Sequence, residues 1–281
     1  MDQNTTMNSQ QKRKPKKLKY DVKTDIEHVL LRPDTYGGSI TEETWKINVN
    51  GSVYEATVVP MLFKIFDEAV VNAADNFTRK SGTKNIHIQV DQERGTFSVL
   101  NDGKTVPIKL HPKKDALTGK KIYIPEMVFF RMRAGQNFDD TEVRYEGGRN
   151  GIGIKLASIF SKRSTVTISN NGKSYKQTYT NNMKTRNNPS ANAYYDRSSS
   201  TNVHFEVDLE KFKIDDKPLT RIPESIFNLM KRRAFDVAAC CEGVSVRFND
   251  VPVEMKSFEE YAKKQLGTDP LFYSQKSKWS V

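Results

Sequence analysis

The feature of this sequence that most constrains its fold is a segment at residues 57–76, where polar and apolar side chains recur with helical spacing. Glu68, Asn72 and Asn76 are four residues apart, so a helix places them on one face. Pro60 favours the first turn of such a helix. Beside the polar face lies a packing surface formed by Ile65, Phe66, Ala69, Val70 and Ala73. The segment is therefore predicted to be one long amphipathic helix.

Helix-like and strand-like patterns alternate along the rest of the chain. Helices are predicted at residues 25–32, 125–133 and 223–242, with another beginning in the glycine-rich segment 147–153 and a short one capped by Ser257 and Glu260. Hairpins are predicted to pair 85–90 with 96–100, 165–169 with 174–180, and 244–248 with 251–255, and residues 202–207 add a strand. Residues 271–281 read as an incoming strand without a partner.

The polar face of the long helix suits a hydrolytic site. Asparagine ranks low in helix propensity and competes for backbone hydrogen bonds, so Asn72 and Asn76 are poor choices for solubility alone. A carboxylate such as Glu68 can take a proton from an attacking water, while amide oxygens hold a divalent cation. This is the division of labour in ATP hydrolysis, although a solvated polar face remains the plain alternative.

Two turn-like segments offer complementary chemistry. The glycine-rich stretch at residues 147–155 would expose backbone N–H groups at a helix N-terminus, where phosphate binds, with charge from Arg149 and Lys155. Its order matches neither the dinucleotide fingerprint nor the loop ending in Gly-Lys-Ser/Thr, and a tight turn would also explain it. Asn101-Asp102-Gly103 follows a strand and is either a plain turn or the edge of a base pocket.

Charge and composition exclude several classes of protein. Six cations against Asp2 give residues 1–19 a charge of +5 within a total of +11, which indicates a tail that contacts nucleic acid or an import receptor, or one that only solubilises. No apolar run approaches the roughly 20 residues of a membrane span. Two adjacent cysteines and four scattered histidines leave no disulfide framework or zinc spacing, so any metal is expected to arrive with a ligand.

Taken in order, these motifs resemble the GHKL ATPase superfamily and, within it, eukaryotic-type (type IIA) DNA topoisomerase II. The resemblance runs from about residue 21 to the C-terminus. Its motifs are HVLLRPDTYGGS, VVPMLFKIFDEAVVNAADN, NDGKTVPI, IYIPEMVF, GGRNGIGIKLAS and QTYTNNM.

The resemblance implies a role for each matching residue. Glu68 corresponds to the general base and Asn72 to the Mg²⁺ ligand, while Asn101 corresponds to the adenine reader, Val128 to a wall of the base pocket and Thr201 to a partner behind it. The remaining implied ATP contacts are Asn76, Asn137 on the ribose, and the phosphate-loop residues Arg149, Asn150, Gly151, Ile152, Gly153 and Lys155. The sequence departs from the family at Gly135-Gln136 in the lid, at Thr105-Val106, and at Ile152 and Ile154; such departures hint at a viral or protist source.

The resemblance also implies an architecture and a function. The expected fold is α/β (α+β), a two-layer sandwich of a mixed sheet with helices on one face. Residues 1–19 would be a basic tail, 20–270 the ATPase domain and 271–281 the start of a transducer domain. ATP would drive homodimerisation and close a gate on double-stranded DNA, in the nucleus or, for a viral protein, in a cytoplasmic viral factory. In the family, a lysine of the next domain contacts the γ-phosphate. This chain is therefore expected to retain ATP binding even where hydrolysis is lost. The alternative is a nucleotide-dependent dimerisation module without hydrolysis.

Overall fold

The computed structural model describes residues 21–49, 52–134, 151–255 and 257–267, together with the backbone of two short strands at 275–276 and 279–280. Its helices are α1 Asp25–Leu31, α2 Pro60–Thr78, α3 Ile124–Phe130, α4 Gly153–Ile159, α5 Glu224–Cys240 and α6 Phe258–Leu266. Its strands are β1 Glu43–Val49, β2 Ser52–Val58, β3 Asn85–Asp91, β4 Thr96–Asp102, β5 Ser161–Asn170, β6 Lys173–Thr180, β7 Thr185–Arg186, β8 Ser190–Ala193, β9 Ser200–Val207, β10 Lys213–Ile214, β11 Lys217–Pro218, β12 Ser245–Phe248, β13 Val251–Pro252, β14 Gln275–Lys276 and β15 Trp279–Ser280.

One mixed sheet forms the base of the fold. Among the described residues, nine strands join in the order β13-β12-β3-β4-β9-β5-β6-β7, with β8 also on β6. Strand β12 runs parallel to β3, whereas the neighbouring strand pairs are antiparallel. Side chains alternate between buried and half-buried along β3, β4 and β9, so one face of these strands carries the core. The predicted two-layer sandwich with helices on that face is confirmed.

Helix α2 is the central element of the helical layer. It contacts α4, α5 and β4, and Phe66 on its apolar face meets Phe97 of β4 edge-to-face at 5.6 Å between ring centroids. Phe97 in turn lies 5.0 Å from Phe205 of β9. Truncation of a buried phenylalanine such as Phe66 to alanine costs about 3–5 kcal/mol. Burial of Phe66 therefore fixes the rotation of α2 about its axis and with it the direction of the polar face.

The structure corrects three expectations from the sequence. Helix α2 begins at Pro60 and not at residue 57, because residues 57 and 58 end β2 of a hairpin with β1 that the sequence pattern did not reveal. The backbone carbonyl of Ser39 accepts a 2.9 Å hydrogen bond from the Met61 N–H, which satisfies one of the free donors at this helix start. Helix α3 ends at Phe130, short of the predicted residue 133. Strands β14 and β15 pair with each other, so this end of the chain is not a single partnerless strand.

The turn chemistry read from the sequence holds in detail. Asn171 and Gly172 connect β5 to β6 with positive φ, as a tight hairpin requires, and Asn249 and Asp250 do the same between β12 and β13. Gly267 ends α6 in the left-handed conformation. None of the described helices is both long and apolar enough to cross a membrane.

Candidate functional site

The polar stripe of α2 lines a deep cavity between the helices and the sheet. The cavity has a volume of about 920 Å³ and is bounded by α2, by β4 and β9, by α3, and by the start of α4. The structure brings together ten of the residues predicted to form the site: Glu68, Asn72, Asn76, Asn101, Val128, Gly151, Ile152, Gly153, Lys155 and Thr201. Asn137, Arg149 and Asn150 lie outside the described residues, so their predicted contacts stay predictions.

Glu68 lies where α2 meets the glycine-rich turn. Its Oε1 is 2.5 Å from the Nζ of Lys64, one helical turn earlier. Its Oε2 lies so close to the Cα of Gly153 that a Cβ at position 153 would fall 1.7 Å from it. The carboxylate is therefore held between a cation and the first residue of α4, and only glycine at position 153 leaves room for it.

The far end of the cavity has the character of a base pocket. Asn101 and Thr201 are opposite each other on β4 and β9, and Val99 and Val203 are the next inward pair on the same face. Asn101 is buried and donates one N–H to the carbonyl of Asp102 at 3.0 Å, which leaves its other N–H and its Oδ1 for a ligand. An amide with one donor and one acceptor in an apolar slot suits the edge of an adenine.

Asp102, adjacent to Asn101, takes no part in this pocket. Its carboxylate accepts hydrogen bonds from the backbone N–H groups of Lys84 (2.6 Å) and Asn85 (2.9 Å). Burial opposes its ionisation, but these bonds and one from the Asn85 amide hold the pKa of Asp102 below its ordinary value. Asp102 thus fastens the end of β4 to β3, because alternation along a strand turns it away from the face that Asn101 occupies.

Asn76 both lines the cavity and ties α2 to the sheet. Its Nδ2 donates to Thr83 Oγ1 at 3.2 Å and to the carbonyl of Asp102 at 3.3 Å. With both N–H donors used inside the protein, only the Oδ1 of Asn76 remains to accept from a ligand hydroxyl or a water, or to bind a cation. This tethering role could not be predicted from the spacing of the polar residues.

The glycine-rich turn packs tightly against the end of the segment that follows α3. Gly151 has φ of +59°, and a Cβ there would come within 2.6 Å of the Ala134 carbonyl oxygen. The same carbonyl accepts a 2.7 Å hydrogen bond from Lys155 Nζ. Burial lowers the pKa of Lys155 to about 8. An anionic phosphate nearby would raise this pKa again, because the negative charge favours the charged form of the lysine.

The charge lining the cavity suits a polyanion. Among the described lining residues, five cations (Lys64, Arg79, Lys80, Lys104 and Lys155) face a single carboxylate, that of Glu68. Sequence reasoning missed four of these cations and also Ala134. Lys64 could have been found, because it continues the four-residue spacing of the polar stripe by one turn, whereas the role of Ala134 is a backbone contact that no side-chain pattern encodes.

The donor set in the cavity fits a magnesium ion that arrives with a nucleotide. No group of three or more His, Cys, Asp or Glu side chains that could hold a metal occurs in the part of the chain that the structure describes. Asn72 and Asn76 both line the cavity and are one helical turn apart along α2. Mg²⁺ takes one or two protein oxygens and completes its shell with phosphates and water, so these residues suit it as a bound companion of phosphate.

The fold and the site define an ATPase family. The sequence profile of the family described as "Histidine kinase-, DNA gyrase B-, and HSP90-like ATPase" matches residues 57–211, more than half of the chain and the part that holds every described residue of the predicted site. The chain belongs to this family and is an ATP-binding domain.

Within the family the chain is similar to type II topoisomerases. It is 39% identical over 249 residues to DNA topoisomerase 2-beta of Mus musculus, covering 86% of this chain and 15% of that protein. It is 38% identical over 248 residues to the probable DNA topoisomerase 2 of Dictyostelium discoideum, covering 86% and 16%. The chain thus spans about a sixth of the length of these curated relatives.

Solved structures agree with the sequence comparison. The ATPase region of Saccharomyces cerevisiae topoisomerase II superposes with a TM-score of 0.80 at 35% identity, covering 88% of this chain and 64% of that one. The ATPase and transducer domains of DNA topoisomerase II from Balamuthia mandrillaris give 0.79 at 37%, covering 87% and 63%. The chain is an ATP-binding domain of the kind found in eukaryotic type II topoisomerases.

Proposed function

We propose that this domain binds ATP with Mg²⁺ and hydrolyses it, with Glu68 as the general base. The observation that carries the proposal is the position of the Glu68 carboxylate, held over Gly153 at the glycine-rich turn of a cavity rich in cations. A carboxylate at that point can take the proton of a water that attacks the terminal phosphorus, while the bond from that phosphorus to ADP breaks.

The other residues of the cavity bind different parts of the nucleotide. Asn101, supported by Thr201 and walled by Val128, reads the adenine edge. Asn72 supplies an oxygen to Mg²⁺, which neutralises phosphate charge when bound, and Asn76 adds an acceptor beside it. Lys155 and the backbone of Gly151, Ile152 and Gly153 bind the phosphates, with Arg149 and Asn150 in the same loop and Asn137 on the ribose.

In the longer protein, ATP binding is proposed to bring two copies of this domain together and close a gate on double-stranded DNA. The support is the similarity to type II topoisomerases and the basic run in residues 1–19, which also suits a nuclear location. The proposed boundaries are a tail at 1–19, the ATPase domain at 20–270, and the start of a transducer domain at 271–281.

Replacement of Glu68 with glutamine tests the proposal against a module that binds nucleotide and dimerises without hydrolysis. In a protein extended through the next domain and held in excess over ATP, Glu68→Gln is expected to lower the single-turnover rate by about 10² to 10⁴ and to leave ATP affinity within a few-fold. Glu259→Gln, which removes a carboxylate from a surface pair with Lys263 on α6, serves as the matched control. An unchanged rate in Glu68→Gln would contradict the assignment, and binding without any turnover in the unsubstituted extended protein would favour the module.

A further inference from the structure

The ion pair between Lys64 and Glu68 is poorly explained as a device for stabilising α2. In a helix, Glu before Lys at four-residue spacing is the favourable order, and here the order is reversed. By contrast, the pairs of α6, Glu259–Lys263 and Glu260–Lys264, have the favourable order.

The loop that follows α1 holds Lys64 in place. A Cβ at Gly37 would lie 3.0 Å from Cγ of Lys64 and 2.9 Å from Sδ of Met61, so the loop backbone presses on the aliphatic stem of the lysine. The same loop, through the Ser39 carbonyl, caps the start of α2. This packing gives a structural role to Gly37 of the motif RPDTYGGS, whose Thr35 and Tyr36 also line the cavity.

We propose that Lys64 is a positioning residue for the catalytic base. It binds Oε1 of Glu68 and thereby turns Oε2 toward Gly153 and the glycine-rich turn, where the attacking water would stand. Lys64 acts through Glu68, and its flexible stem is restrained by Gly37 and its neighbours. The inference rests on the proposed role of Glu68.

Two substitutions and a matched control separate this role from simple packing. Lys64→Met removes the ammonium and keeps the stem, and Lys64→Arg keeps a cation. Lys264→Met removes the lysine of an ordinary helical pair, 3.0 Å from Glu260 and outside the cavity lining. In NMR spectra of the nucleotide-free chain, the Gly153 amide resonance is expected to move in Lys64→Met, to return toward its original position in Lys64→Arg, and to stay unchanged in Lys264→Met.

A double-mutant cycle on turnover provides the second readout. Lys64→Met is expected to lower the single-turnover rate about 10- to 100-fold with nucleotide affinity within about threefold, since misplacement of a reacting group by about 1 Å costs this much. Lys64→Arg should restore most of the rate. In the Glu68→Gln background, Lys64→Met should cause no further loss, because the lysine acts only through the carboxylate.

The contrary outcomes are distinct. Equal losses from Lys64→Met in both backgrounds, or a loss of affinity at an unchanged rate, would assign Lys64 to nucleotide binding and overturn the inference. A Gly153 resonance that does not move in Lys64→Met would overturn it as well, whether or not the chain turns over. Normal turnover in Glu68→Gln would instead reject the proposed function. The shift of the Gly153 resonance in Lys64→Met would still show whether Lys64 positions the carboxylate.

Discussion

At the scale of single residues, the absence of a Cβ at Gly153 decides where the Glu68 carboxylate can lie. The atom that a side chain would meet is the end of a flexible side chain and not backbone. Glu68 could swing away at little cost in packing, so the restriction is functional more than structural. Gly151 differs, because its φ is positive and a Cβ there would meet the backbone of Ala134, which cannot move aside as a flexible side chain can.

Gly153→Ala is therefore expected to abolish turnover while preserving the fold. Alanine is favoured over glycine in a helix by about 1 kcal/mol, which offsets the displacement of the carboxylate, so the free energy of unfolding should change by no more than about 1 kcal/mol. Gly151→Ala should lower the melting temperature clearly, because a non-glycine residue is strained at that φ. Thermal unfolding and single-turnover hydrolysis of both variants check this contrast, and a Gly153→Ala protein with normal turnover would show that Glu68 need not lie over Gly153.

At the scale of elements, a buried network of charges fixes α3, which carries Val128 of the base pocket. Glu126 is fully buried and accepts hydrogen bonds from Arg131 (2.8 Å) and, through both oxygens, from Arg186 (2.7 Å each). Tyr179 donates to the same carboxylate and stacks on Phe130 at 4.1 Å. These contacts join α3 to β6 and β7, so the wall of the pocket is held by the sheet.

Stability should depend on pH through this network. Burial raises the pKa of Glu126, but the hydrogen bonds from Arg186 and the charge of Arg131 outweigh it and hold the pKa below the ordinary value. A depressed pKa in the folded state means stability that is complete above the unfolded value of about 4.3 and is lost as pH falls through the folded pKa. Arg186→Met should cost about 2 kcal/mol at pH 7, less than the ~3–5 kcal/mol of a fully buried pair because Arg186 is partly exposed and Arg131 remains.

The cost of Arg186→Met should shrink below about pH 4, where the carboxyl becomes neutral in the variant. Denaturant unfolding at pH 7 and at pH 3 measures both values. Arg163→Met, which breaks an exposed pair with Glu206, is the control and should change stability by less than about 1 kcal/mol at either pH. A cost that is independent of pH would mean that Arg186 contributes packing and not charge.

The elements also show what the sequence can and cannot predict. The direction of Glu68, Asn72 and Asn76 followed from a 3.6-residue period, and the paired strands followed from period-two alternation and Asn-Gly turns, because these signals are local. The hairpin of β1 and β2 was missed since most side chains on β2 are exposed and give no clear alternation. The Glu126 network was missed because Tyr179 and Arg186 lie 53 and 60 residues from Glu126, and only the folded sheet brings them together.

At the scale of the whole molecule, the start of the described chain is linked to the nucleotide site. Thr24 begins α1 with a reciprocal capping box to Glu27, so the helix does not extend into the residues before it. Asp25 at the first turn of α1 binds Arg133 at 3.1 Å, one residue before Ala134, whose carbonyl holds Lys155. Helix α1 also contacts α4. These contacts place the start of α1 beside the segment that holds Lys155.

We therefore expect the chain to be largely monomeric alone and to dimerise when a non-hydrolysable ATP analogue is added, through exchange of the arm around residues 19–23. Residues before Asp25 hold too few apolar side chains to fold on their own surface. A ligand shifts this equilibrium only by its differential affinity for the dimer, so binding and dimerisation must strengthen each other. Deletion of residues 1–23 should weaken both together, whereas Asp25→Asn, which removes only the exposed contact to Arg133, should have a small effect on either. Light scattering with and without the analogue measures dimerisation, and a shortened protein that still dimerises as tightly would exclude the arm.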